Sequence, residues 1–241
     1  MPYRSPNQRA VTPQNRGRYP DFDVLDSVRA WDDVTAGVVL ARLALPGELA
    51  FFSPAEVGVA APLLDHLLAQ DSDPRIPVLA LIDARLAAGE TDGWHYDELP
   101  EDGQAWRDTL LFLDEDAQQQ HHGRGFAYLI GAEQAALIQA VQDLSRDGAD
   151  WHGWSATHVW SLWTRYACTA FYSHPWSWNE IGFPGPAYPR GYLNPGVNSR
   201  EHWEVADRGG EDSYTDPVPF AARVEQARRE HARLVEGEGT G

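Results

Sequence analysis

The chain has 241 residues, 43% of them hydrophobic and 23% charged, with a formal net charge of −17 and a mean hydropathy of −0.46. That composition supports a self-sufficient globular core. No run approaches the about 18 apolar residues of a spanning helix, and the single cysteine, Cys168, excludes a disulfide framework and any Cys-based zinc or iron–sulfur site.

Lysine is absent: all 19 basic residues are arginine, and residues 43–219 hold nine of them against 27 Asp and Glu. Such a surface repels phosphate backbones and anionic lipid heads, so nucleic-acid and membrane partners are set aside. It can still steer a basic protein partner. Residues 1–30 contain neither an apolar export core with a cleavage site nor an Arg-Arg pair. The chain is therefore expected in the cytoplasm, reaching the periplasm only if a partner carries it.

Residues 1–25, rich in Arg and Pro, read as an extended tail. A helix is expected over 26–43, capped by Asp26 or Ser27, with Val28, Trp31, Val34, Val38 and Ala41 on one stripe. Ser53-Pro54-Ala55-Glu56 has the form of a capping box with proline at the first helical position, and opens a helix running to about Gln70. A further helix is expected over 76–88, stopped by Gly89, followed by a polar loop to residue 99. The stripe Trp106, Leu110, Leu113 and Ala117 marks a helix over 101–121. Another over 132–145 points Ala136, Leu137, Val141 and Leu144 inward, and Ser155 precedes one over 156–172 carrying Val159, Leu162, Trp163, Tyr166 and Phe171. Cys168 in that helix reads as a buried small hydrophobe. A last amphipathic helix is expected over 219–235.

Period-2 alternation is nearly absent. The fold class is therefore all-α: a single helical domain over 26–218 with six or seven helices, followed by a C-terminal helix and tail over 219–241. Residues 173–217 stand apart. They are rich in Pro, Gly and aromatics, and read as an ordered irregular segment laid on a helix surface or on another protein. Phe183-Pro184-Gly185-Pro186 has the chemistry of a type II turn.

Six of the ten tryptophans lie in 151–178, where core and interface are both natural places for them. His152 and His158 lack the i,i+4 spacing of a helical metal pair, and no His-Glu-x-x-His occurs. Neither a Gly-x-Ser-x-Gly elbow nor a Gly-x-Gly-x-x-Gly or Walker loop is present. Adjacent carboxylates such as Asp114-Glu115-Asp116 point apart on a helix and make poor acid/base pairs. No catalytic, cofactor-binding or metal-binding residue is assigned.

Several runs together resemble the gluconate 2-dehydrogenase subunit 3 family. They are Phe51-Phe52-Ser53-Pro54-Ala55-Glu56, Leu63-Leu64-Asp65-His66-Leu67-Leu68, Asp71-Ser72-Asp73-Pro74 and Ile82-Asp83, then helix 105–117, Phe126 and Gly131-Ala132-Glu133-Gln134. Arg165-Tyr166, Phe171-Tyr172-Ser173-His174-Pro175 and Ile181-Gly182-Phe183-Pro184-Gly185 complete the set, and the likeness covers about 50–192. Trp176-Ser177-Trp178-Asn179-Glu180 stands where that family usually has Gly-Gly-Asn, which implies a distinct subgroup. The resemblance implies a small subunit without a cofactor of its own. It would bind, stabilise and help assemble an FAD-dependent sugar or polyol dehydrogenase large subunit of the glucose–methanol–choline type, with a cytochrome subunit often completing such complexes. The FAD would lie in the large subunit. The expected contact residues are Phe171, Tyr172, Pro175, Trp176, Trp178, Phe183, Pro184, Gly185 and Tyr188. The alternative is a stand-alone enzyme acting on a carbohydrate-like substrate in a Trp-lined acidic pocket, with His152, His158 or Glu180 as acid/base.

Overall fold

The computed structural model describes residues 19, 22–44, 47–189, 191, 229 and 233. Among them are seven α-helices, two short 3-10 helices and one two-stranded hairpin, so the all-α expectation holds. The described residues fall into two compact units. One takes its residues from Met1–Leu45, Ser72–Ile76 and Tyr172–Gly241; the other consists of Pro46–Asp71 and Pro77–Phe171.

The second unit holds α2 (Pro54–Leu67), α3 (Val78–Ala87), α4 (Asp102–Gln120), α5 (Gly131–Asp147) and most of α6 (Ala156–Ser173). The capping box forms as expected. Ser53 Oγ accepts from the Glu56 N–H at 3.4 Å and the Glu56 carboxylate accepts from the Ser53 N–H at 2.7 Å. Together they satisfy donors that the first helical turn leaves orphaned. Helix α4 buries Trp106, Leu110, Leu113 and Ala117, and α6 buries Val159, Leu162, Trp163 and Tyr166. Each such large side chain removed from water stabilises the fold by roughly 1.5–3 kcal/mol. The Trp163 indole N–H donates to Thr109 Oγ1 at 3.0 Å, which lets a buried polar edge sit in that core without loss.

The expected inward face of α5 is partly corrected. Ala136 is exposed, and Gln134 and Ile138 join Leu137 and Val141 inside. Gln134 is pulled in because its amide donates to the Phe126 carbonyl at 3.0 Å and its oxygen lies 3.2 Å from His66 Nε2. Cys168 is also corrected: it is exposed on the outer side of α6. The hairpin of β1 (Asp150–Trp151) and β2 (Trp154–Ser155) pairs Asp150 with Ser155 and Trp151 with Trp154. Its turn residues, His152 and Gly153, have φ of 50° and 80°. Positive φ at both central positions suits a two-residue hairpin, but strands this short carry no legible alternation.

In the first unit the single helix expected over 26–43 is two pieces: a 3-10 helix over Val24–Ala30, then α1 (Asp33–Ala41). Two aspartates start them. Asp23 accepts from the Leu25 N–H at 2.9 Å and Asp32 from the Thr35 N–H at 2.8 Å. The break at Trp31 and Asp32 shifts the phase. Val28 and Trp31 are buried, whereas Val34 and Val38 face solvent and Ala36, Val39 and Leu40 turn inward.

Residues 175–181, expected as irregular, form α7 (Pro175–Ile181). His174 Nδ1 accepts from the Trp176 N–H at 3.2 Å, Pro175 takes the first turn, and Gly182 closes the helix in the left-handed conformation. Residues 183–189 are irregular as expected. Most of the N-terminal tail, residues 192–217 and, apart from Arg229 and Arg233, the helix expected over 219–235 lie outside the described residues.

Candidate functional site

The residues expected to meet a partner divide sharply by burial. Phe171, the last residue of the second unit, is buried. In the first unit Pro175, Trp176, Trp178, Pro184 and Gly185 are buried, Trp176 completely. Tyr172, Phe183 and Tyr188 are 49%, 39% and 65% exposed. The segment thus has a packed footing and three aromatic side chains left partly in water.

The footing is fastened at named points. The Trp178 indole N–H donates to the Tyr172 carbonyl at 2.6 Å, and the Arg42 guanidinium lies 5.7 Å over the Trp178 ring while reaching the Ser173 carbonyl at 3.2 Å. Phe183 meets Trp178 edge to face at 5.4 Å. Asn179 accepts from the Val24 N–H at 2.7 Å and donates to Asp23 at 3.3 Å. The Trp31 indole N–H donates to the Pro186 carbonyl at 2.8 Å. The turn that follows Phe183 needs its glycine on two counts. Gly185 has φ of 77°, as the third position of a type II turn requires, and a Cβ there would run into the Trp31 ring.

Two titratable groups lie in this footing. Burial, with the Arg42 charge adding to it, pushes His174 down to about 3, so the imidazole is neutral and its Nδ1 is free to cap α7. Burial pushes the Glu180 carboxyl up, and its buried Oε2 has no hydrogen-bond partner among the described residues.

Asp83, Glu56 and Arg107, also among the residues behind the sequence likeness, lie in the second unit and fasten the entry of α2. Asp83, buried at the inner face of α3, accepts the backbone N–H groups of Ala50, Phe51 and Phe52 at 2.7, 3.0 and 2.8 Å. Arg107 donates to both Glu56 oxygens at 2.7 and 2.8 Å and to the Phe51 carbonyl at 2.7 Å. Burial raises the Glu56 carboxyl, and the bonds from Ser53 and Arg107 more than offset this, leaving it below its usual range.

Arg165 reaches both oxygens of buried Asp102 at 3.3 Å, and the Tyr166 hydroxyl donates to Asp102 at 2.7 Å. Burial, then the hydrogen bond to Asp102 and its charge, pushes the Tyr166 phenol up. Asp92 bridges Arg85 and Arg165. Burial raises its carboxyl, but the two guanidinium groups more than compensate and hold it low. These carboxylates clamp the entry of α2, the 89–99 loop and the start of α4. Sequence reasoning placed Glu56 in its capping box but missed the clamping by Asp83, Asp92 and Asp102; for Asp83 the available signal was an acid set in the apolar run Ala80-Leu81-Ile82-Asp83-Ala84, where an unpartnered charge would be costly.

Each histidine among the acid/base candidates has a carboxylate partner of its own. His152 Nε2 lies 2.8 Å from Asp116 and its ring stacks on Phe112. His158 lies 2.9 Å from Glu98 and stacks on Tyr96. Both belong to the second unit and Glu180 to the first. Among the described residues no group of three or more His, Cys, Asp or Glu is placed to hold a metal, and no helix is long and apolar enough to cross a membrane.

A family model described as Gluconate 2-dehydrogenase subunit 3 matches residues 54–185. No curated protein and no solved structure matches the chain.

Proposed function

We propose a role that starts from one fact: the chain belongs to the gluconate 2-dehydrogenase subunit 3 family. The role is that of a non-catalytic small subunit. It binds an FAD-dependent sugar or polyol dehydrogenase large subunit of the glucose–methanol–choline type, stabilises it and helps it assemble. The flavin and the oxidation chemistry belong to that partner.

The observation that carries this reading is that Tyr172, Phe183 and Tyr188 are exposed in a segment that buries Trp176 and Trp178, with Phe183 packed edge to face on Trp178. Aromatic anchors dominate the energy of protein interfaces when they are well supported. Anchors already held by a helix and a proline turn lose little freedom on binding.

Co-expression with an FAD-dependent glucose–methanol–choline type dehydrogenase large subunit from the same organism tests the reading. The expected result is co-purification and a higher soluble yield of the flavoprotein, while the isolated chain shows neither flavin absorbance nor dehydrogenase turnover. Turnover by the isolated chain, abolished by changing His152, His158 or Glu180 without loss of helix content, would favour the stand-alone enzyme instead.

A further inference from the structure

A cleft of about 480 Å³ opens on the second unit between the first turns of α2, the middle of α4 and the turn Phe126–Tyr128. Two of its walls approach closely. A Cβ on Gly58 of α2 would lie 3.3 Å from the Ala127 Cβ. Apolar groups line it, among them Val59 and Leu110, and its lip carries Leu111 and Tyr128, which are 54% and 81% exposed. Large apolar side chains gathered at one lip are a mark of an interaction surface, whereas single scattered ones need no explanation.

The charges in the cleft are unequal. Arg107 is already engaged by Glu56 at 2.7 and 2.8 Å. Asp108 and Asp114 are held only by neutral donors: the Gln104 amide at 2.8 Å for Asp108, and the Gln118 amide and the Phe126 N–H, each at 2.7 Å, for Asp114. Neither meets a cation among the described residues. The cleft therefore joins an apolar interior to two carboxylates that no cation among the described residues pairs with. An incoming apolar side chain with a cationic neighbour satisfies both features, and an acidic segment is repelled.

We propose that this cleft is a second contact point for the flavoprotein partner, taking an apolar side chain carried next to an arginine or lysine. The proposal rests on the partner reading above and adds the chemistry of the segment that binds.

Its test places the photo-crosslinker p-benzoylphenylalanine at Leu111 in one sample and at Tyr188 in another, each co-expressed with the flavoprotein and irradiated as the purified complex. The expected result is a cross-link to the flavoprotein from both positions, with the Leu111 product mapping within a few residues of an Arg or Lys. Asp108→Arg, which removes only the Gln104 bond, is expected to weaken the complex about tenfold at unchanged Tm. A cross-link from Tyr188 with none from Leu111, or an Asp108→Arg complex as tight as the wild type, overturns the cleft proposal and leaves the small-subunit reading standing. A Leu111 cross-link between two copies of this chain also overturns it. Failure of the pair to form a complex at all defeats both readings.

Discussion

The Asp83 clamp of the second unit and the Trp176–Trp178 footing of the first solve different problems with different chemistry. Asp83 gathers three backbone N–H groups onto one carboxylate, and Asp102 gathers an arginine and a tyrosine. The side chains in these clamps spend their hydrogen-bonding capacity inward. Around α7 the polar atoms are likewise turned inward, yet Tyr172, Phe183 and Tyr188 keep their faces in water. Residues that make a sequence recognisable thus serve two purposes here. In the second unit they build the fold; in the first some build it, and others are held out on what the first group builds.

Substitutions sharpen that contrast. Trp176→Ala removes a fully buried indole and is expected to cost about 3–5 kcal/mol in urea unfolding; a cost below about 1 kcal/mol would mean that the footing is not packed as described. Asp83→Ala leaves three backbone donors without their acceptor, an expected loss of about 3 kcal/mol, with Asp83→Asn milder because one acceptor oxygen remains. Gly185→Ala, which combines a left-handed φ with collision against Trp31, is expected to cost about 2 kcal/mol and to lower partner affinity with it.

The His174 imidazole adds a pH signature. Its folded value of about 3 lies below its ordinary 6.5, so the folded state binds fewer protons than the unfolded one. Stability is full above that ordinary value and falls as pH drops from there toward the folded value, by about 1.4 kcal/mol per pH unit. His174→Asn keeps an acceptor at the start of α7 and removes the titration, so stability should change less with acidification above the carboxylate range. An unchanged slope would place the titrating group elsewhere. The smallest effect on stability is expected from Tyr188→Ser, within about 0.5 kcal/mol, because most of that side chain is already in water.

Local signals were legible in the sequence where they act within one turn. Ser53 and Glu56 find each other across three residues, and the α4 stripe falls where period 3.6 puts it. The α1 region misleads because Asp32 restarts the helix in mid-stripe, so Val34 and Val38 continue a pattern whose phase has changed. Helix α7 was hidden for the opposite reason: Pro175 to Asn179 are buried on all sides, which leaves no polar face to reveal a period. Its His174-Pro175 start and Gly182 stop were present as short-range cues. The aromatic segment stood out by composition. Its division into footing and exposed face did not, since burial depends on pairings such as Val24 with Asn179 that are distant in the chain.

The most direct test of the partner reading is the triple variant Tyr172→Ser, Phe183→Ser, Tyr188→Ser, co-expressed with the FAD-dependent large subunit and assayed for Tm and co-purification together. The prediction is a Tm within a few degrees of the wild type and loss of the flavoprotein from the purified fraction. A variant that folds normally and still brings down its flavoprotein in full yield would contradict the claim that these three side chains are the docking face.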